Sequence, residues 1–224
     1  MNPVETVVPI VALDEFNAVK DFLGTGTFVG QPPILVTAEH VVHDWGGRFG
    51  VAPWSAKRIM RADLLVKKRE MDLALLEVPG YVCNEPFELA QDNEIAFTQP
   101  VVCFEYGTTK IISEKVRLHP ATRLGNVTRL LFEEDLFGLA GREALELSFP
   151  ALRGASGAPV VSLADFHLWG IVIANVSYHL IPAQVEITYD EQMHPIEQVQ
   201  YMLPQGIAIN VKHLRSLLTE VRSP

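Results

Sequence analysis

The chain has 224 residues, 48% hydrophobic and 20% charged, with a formal net charge of −9. That size and composition fit one compact unit or two small ones with a substantial core. The acidic balance counts against a general nucleic-acid binder, which needs a basic stripe, and Lys67-Lys68-Arg69 reads as a solvated strand end instead. In chain order, the apolar stretch Val7 to Leu13 contains Pro9 and follows no early Lys or Arg, so it is neither a secretory signal nor a membrane span. Short apolar or alternating runs separated by turn formers predict strands over 22–29, 34–37, 58–66, 73–78, 101–106, 127–132, 144–149, 158–163 and 168–176. The polar, acidic stretch 84–99 reads as a linker. Val211, Leu214, Leu217, Leu218 and Val221 share the face of a helix over 211–221. The expected class is therefore all-β with a C-terminal helix. Cys83 and Cys103 are the two cysteines, which reads as two reduced, packed thiols of a cytoplasmic protein.

The motif that carries chemistry is Gly154-Ala155-Ser156-Gly157. A serine hydroxyl is a poor nucleophile near neutral pH unless a base takes its proton and a third group orients that base. Two earlier segments supply such partners: His40 in Thr37-Ala38-Glu39-His40, and Asp72 at the head of the apolar run Leu73 to Val78. His40 would act as the base, and Asp72 would hold its other ring nitrogen protonated. Glycines around the serine let the backbone turn sharply enough to aim N–H groups at a developing oxyanion, which assigns the donors to Gly154 and Ser156. The chain order His, Asp, Ser is that of chymotrypsin and not that of subtilisins or α/β-hydrolases.

These blocks resemble the trypsin-like peptidase family, particularly its bacterial branch that includes the HtrA-type proteases. Gly24-Thr25-Gly26-Thr27-Phe28 is similar to the small-residue strand of the first barrel, Thr37 to His40 to the family's Thr-Ala-x-His turn, and Asp72 to Leu76 to its Asp-Ile-Ala-Leu-Leu strand. Residues 87–105 resemble the inter-barrel connection, and Gly206 to Asn210 before a helix resembles the HtrA-type ending. The resemblance implies two packed antiparallel β-barrels with a C-terminal α-helix. The first, 1–95, would carry His40 and Asp72, and the second, 96–224, Ser156. It implies a serine endopeptidase working through an acyl-enzyme on Ser156, acting on a peptide or protein substrate. No cofactor, metal, nucleic acid or membrane is expected. The pocket for the side chain before the cut would have Ile173, Ala174 and Asn175 as one wall, Phe149 to Leu152, with Pro150, as its base, and Gly206 to Ala208 opposite. None of these is acidic, so a small or medium uncharged residue is the expected preference.

Departures from the family pattern also carry expectations. Ala155 stands where animal trypsins place an Asp that pairs with a newly cut N-terminus, so zymogen activation by cleavage is not expected. HtrA relatives add a C-terminal PDZ domain, whereas this chain stops after one helical segment. A cytoplasmic protease without a propeptide needs restraint, and a closed or malformed oxyanion loop ordered by substrate or by a regulatory protein partner would supply it. Two other readings compete. One is a catalytically silent peptide-binding module of the same fold. The other is an α/β-hydrolase esterase pairing Ser156 with Asp190 and His194 or His213, which leaves Asp72 unexplained. Gly24-Thr25-Gly26 lacks the Lys-Ser/Thr of a phosphate loop and reads as close barrel packing. His40, His43 and Asp44 lack a third matched ligand for a metal. His119, His167 and His179 show no partner pattern and read as ordinary residues.

Overall fold

The computed structural model describes residues 3–43, 45, 48–92, 94–112, 115–132, 142–179, 185–190, 192, 195–200 and 202–222. After a single turn, α1 (Pro3–Thr6), six strands follow: β1 (Val7–Leu13), β2 (Val19–Val29), β3 (Ile34–Thr37), β4 (Phe49–Val51), β5 (Met60–Lys68) and β6 (Leu73–Glu77). They close into a barrel in the order β1-β2-β3-β6-β5-β4, all antiparallel. A short helix, α2 (Glu39–Val42), leaves the end of β3.

The second half contributes β7 (Pro100–Glu105), a small hairpin of β8 (Lys110–Ile112) and β9 (Lys115–Arg117), then β10 (Ala121–Leu131), β11 (Ala144–Leu147), β12 (Pro159–Ser162) and β13 (Leu168–His179). A second hairpin, β14 (Val185–Tyr189) and β15 (Pro195–Gln200), precedes β16 (Met202–Asn210). The second barrel closes as β10-β11-β16-β13-β12-β7, so the molecule is two six-stranded antiparallel barrels, the expected fold. Between them, Phe87 bridges to β2 and Leu89 to β13, so the acidic connection is stitched to both sides. Among the described residues no helix is long and apolar enough to cross a membrane.

Each barrel is filled from within. Ile10, Leu35, Phe49, Leu75 and Leu76 are fully buried in the first, and Leu145, Leu147, Leu168, Ile171 and Ile209 in the second. Burial of a Leu, Ile or Phe side chain contributes about 1.5–3 kcal/mol, so these residues dominate the favourable side of folding. The final helix, α3 (Val211–Arg222), buries Val211, Leu214, Leu217 and Leu218, the face its spacing predicts. Asn210 caps it, its Oδ1 accepting from Lys212 N–H at 2.9 Å. From there α3 reaches the first barrel: Glu220 meets Lys68 at 2.8 Å and Arg222 donates to Pro32 O at 2.9 Å.

Sequence patterning missed some strands. All seven residues of β1 are buried, so no alternation is visible, and Pro9 further disguises it. Three-residue β4 is too short to show a period. The first half of β10 alternates between half-buried and exposed positions, a pattern with too few apolar side chains to read as a strand.

Candidate active site

α2 follows β3 directly and presents His40 at the mouth of the first barrel. Asp72 ends a 3₁₀ turn, Arg69–Met71, and takes the left-handed conformation at φ 47° before β6 begins. Aspartate is among the few residues that tolerate that region, because its short polar side chain bonds locally. Here Oδ1 accepts from the His40 backbone N–H at 3.0 Å, while the carboxylate oxygens lie 3.0 and 2.8 Å from His40 Nδ1. An ionised carboxylate only accepts, so Nδ1 carries the proton and the Nε2 lone pair is free. Nε2 lies 2.9 Å from Ser156 Oγ, so the hydroxyl donates to it. His40, Asp72 and Ser156, 116 residues apart at the extremes, are thus joined in one hydrogen-bonded line.

The bond to Asp72 raises the His40 pKa above its ordinary 6.5, opposed by partial burial and assisted by the charges of Asp72 and Glu39. The imidazole remains about half exposed, its side chain at 48%, against 20% for Asp72.

The loop around Ser156 admits a full backbone accounting. Arg153 O accepts from Thr108 N–H at 3.2 Å, Gly154 O from the Thr25 hydroxyl at 2.8 Å, Ala155 O from Ala158 N–H at 2.9 Å, and Ser156 O from Thr25 N–H at 2.9 Å. Ala155 N–H donates to Leu152 O and Gly157 N–H to Val172 O, both at 2.8 Å. The N–H groups of Gly154 and Ser156 have no acceptor among the described residues. The loop that the sequence leaves closed or malformed therefore has every carbonyl from 153 to 156 tethered in the free chain.

Close approach makes two glycines necessary here. Gly154 has φ +94° and a Cβ on it would sit 2.4 Å from the Phe22 ring; Gly157 has φ +89° and its Cβ would lie 1.9 Å from Thr25 O. Three threonines of the first barrel, each fully buried, line this approach. Besides the Thr25 bonds, Thr27 Oγ1 donates to Gly157 O at 2.9 Å and Thr37 Oγ1 to Thr25 O at 2.7 Å. Sequence reading recognised Gly24 to Phe28 as a close-packing strand but not these hydroxyls; those of Thr25 and Thr27 have targets 129 and 130 residues away.

The segments expected to form the side-chain pocket do meet. Asn175 lies opposite Gly206 in the β13–β16 pairing, its Oδ1 accepts from Ala151 N–H at 2.7 Å, and its Nδ2 donates to Ala151 O at 2.6 Å. Gly206 N–H donates to Phe149 O at 2.8 Å. Pro150 is half-buried beside them. A bulge after Val172 breaks the alternation of β13, so Ile173 and Ala208 are buried while Ala174 and Asn175 are exposed. On the other side of His40 lies a cavity of about 530 Å³, lined by Phe22, Val41, Trp45, Asp21, Arg153 and Gly154 among others.

The remaining sequence candidates lie elsewhere. His43 Nδ1 pairs with Glu39 at 2.6 Å. His213 sits on α3 with Nε2 accepting from Glu143 N–H at 3.0 Å, and Asp190 accepts from Gln192 N–H at 2.9 Å. Ser156 Oγ meets His40, and the fold is two β-barrels and not an α/β sheet, which corrects the esterase reading; His194 lies outside the described residues, and so does Asp44. Burial pushes both free thiols, Cys83 and Cys103, upwards, which keeps them protonated. His167, read as an ordinary residue, meets Glu94 and Asp165, their ligand atoms all within 4.8 Å of one another. Sequence spacing carries no sign of that cluster, since the connection and the β12–β13 turn supply its halves.

The sequence pattern of the trypsin-like peptidase domain matches residues 24–171, more than half of the chain and all three members of the hydrogen-bonded line. The chain belongs to the trypsin-like peptidase family. Among solved structures, the chain is similar to the HtrA-type protease AlgW with a decapeptide, at 16% identity and a TM-score of 0.66 over 97% of this chain and 64% of that one. It is likewise similar to the Rv3671c protease from M. tuberculosis in its active form, at 18% identity and a TM-score of 0.65 over 100% and 86% of the two chains. The MamO protease domain from Magnetospirillum magneticum, apo form, aligns at 17% identity and a TM-score of 0.60 over 95% of both. The chain spans less than two thirds of the AlgW chain's length. Among curated proteins no sequence matches it.

Proposed function

We propose that the chain is a serine endopeptidase. The observation that carries this reading is the continuous line Asp72, His40, Ser156, with Nε2 2.9 Å from the serine hydroxyl. His40 Nε2 takes the hydroxyl proton as Oγ attacks the carbonyl carbon of the scissile peptide. Asp72 stabilises the imidazolium this creates. The negative charge moves to the former carbonyl oxygen, where the unpaired N–H groups of Gly154 and Ser156 are available to receive it. Collapse breaks the C–N bond, His40 gives its proton to the leaving amine, and an acyl-enzyme remains. Water then repeats the sequence, with His40 again as base, and releases the acid and the serine.

Substrate binding has support from the same elements. The pairing of β12 with β13 ends near Ile171 and Val172, leaving the β13 edge from Ile173 without a strand partner among the described residues. An extended peptide adding to that edge would satisfy its backbone groups. The absence of an acid among Pro150, Ile173, Ala174, Asn175, Gly206 and Ala208 favours a small or medium uncharged residue before the cut. The cavity beside His40, with Phe22 and Trp45 in its lining, favours an apolar side chain on the leaving-group side.

A fluorophosphonate probe tests the central claim. It is expected to label Ser156 in the wild type and to leave Ser156→Ala unlabelled, and kcat on a cleaved peptide falls about 10⁶-fold in that variant. Labelling at another residue, or equal turnover by both proteins, overturns the proposal in favour of a silent module or a different nucleophile.

A further inference from the structure

The two oxyanion donors are aimed by bonds on the far side of their peptide planes. A trans peptide points its C=O and N–H in opposite directions. Tethering Arg153 O to Thr108 N–H therefore directs Gly154 N–H away from that contact, and tethering Ala155 O to Ala158 N–H does the same for Ser156 N–H. The two alternate planes are held on their carbonyl side by one residue, Thr25, which donates its hydroxyl to Gly154 O and its backbone N–H to Ser156 O, while their N–H groups donate to Leu152 O and Val172 O. The same hydroxyl accepts from Tyr106 N–H at 3.2 Å, at the start of the turn that supplies Thr108.

One residue thus joins β2, the turn after β7 and both flanks of Ser156, its hydroxyl serving Gly154 O and Tyr106 N–H and its backbone N–H serving Ser156 O. It is fully buried, so its bonds are made within the protein and not to bulk water. The packing beside it is close: a Cβ on Gly157 would lie 1.9 Å from Thr25 O and 2.3 Å from Thr37 Oγ1. Because Gly154 follows Arg153 directly in the chain, a shift of Gly154 O is passed to the Arg153 and Thr108 contact and so to the direction of Gly154 N–H.

We infer that the Thr25 hydroxyl is a positioning group for the reaction: from the first barrel it fixes the oxyanion donors of the second, so that they are ready only when the barrels are docked. This rests on the serine endopeptidase reading and adds to it a residue that touches no reacting atom. Its effect belongs to the transition state, because the donors meet the oxyanion more closely than the ground-state carbonyl.

Thr25→Val keeps the shape of the side chain and removes the hydroxyl; Thr25→Ser keeps the hydroxyl and removes a methyl. Peptide turnover is read per mole of folded protein, with the folded fraction taken from thermal unfolding. Thr25→Val is expected to lower kcat about 10²-fold, the scale of an ångström-sized misplacement, with KM within about twofold of wild type. Affinity for a peptide aldehyde that forms the tetrahedral adduct should fall in parallel with kcat. Thr25→Ser should recover most of both, and the acid limb of the pH profile should stay in place because the His40–Asp72 bond is untouched. If Thr25→Val does not fold, Thr25→Ala against Thr25→Ser reads the same difference. Wild-type kcat in a folded variant lacking the hydroxyl, or a loss seen only in KM or in the folded fraction, overturns the inference while leaving the endopeptidase reading intact. A wild type inert towards both peptide and fluorophosphonate overturns both.

Discussion

His40 must be neutral to accept the serine proton, and its pKa is raised above 6.5 chiefly by the bond to Asp72. The acid limb of kcat/KM should therefore lie above 6.5. Asp72→Asn removes the raising partner and leaves the wrong tautomer: the limb moves to lower pH while the plateau falls about 10⁴-fold. Rate profiles of the two proteins from pH 5 to 9 check both signs. The same shift is linked to stability. A folded-state pKa above the unfolded one adds stability that is complete below the unfolded value and lost as pH rises through the folded one. With the imidazole half exposed, that contribution is small. At this scale the three residues of the hydrogen-bonded line were legible because the proposed chemistry restricts them to few residue types. Thr25, Thr27 and Thr37 were not, since a buried threonine and a surface threonine look alike until the chain that lies opposite is known.

Strands and loops were read unevenly, for reasons that lie in burial. Where one face of a strand meets solvent, alternation exposes it; where both are covered, as in β1, the run is merely apolar. Residue pairs in β13 were assigned to a pocket wall by position, but the bulge after Val172 shifted which of them point outwards. Glycine conformation was partly readable, because Gly154 and Gly157 flank a nucleophile, yet the severity of the constraint comes from the neighbouring barrel. Gly157→Ala meets Thr25 O at 1.9 Å at φ +89°, whereas Gly80→Ala at φ +76° meets nothing within 4 Å. The first should cost about 3 kcal/mol or more through overpacking added to backbone strain, and the second about 1–2 kcal/mol from strain alone. Urea midpoints at unchanged m-value give the comparison.

Across the whole molecule, buried side chains of both barrels form one continuous cluster, from Val7 in β1 to Leu218 in α3. A shared core predicts that the barrels melt together. Far-UV circular dichroism, the fluorescence of Trp169 in the second barrel and peptide turnover should lose amplitude at one urea concentration. An earlier midpoint for turnover would show the barrels parting before they unfold. The two barrels were legible through the resemblance to the family and the acidic stretch 84–99, which separates His40 and Asp72 from Ser156. The clasp of α3 onto the first barrel through Glu220 and Arg222 was not, since nothing in a helical stripe names the surface that receives its charged edge.

The threonine bonds between the barrels differ in kind from the apolar contacts around them. Greasy surfaces slide over one another at little cost, but a hydroxyl donating to a carbonyl has a narrow range of distance and angle. Lobes fastened this way do not drift through a series of partly aligned poses. Warming the enzyme towards its melting point should therefore thin the population of working molecules while each survivor keeps its full rate.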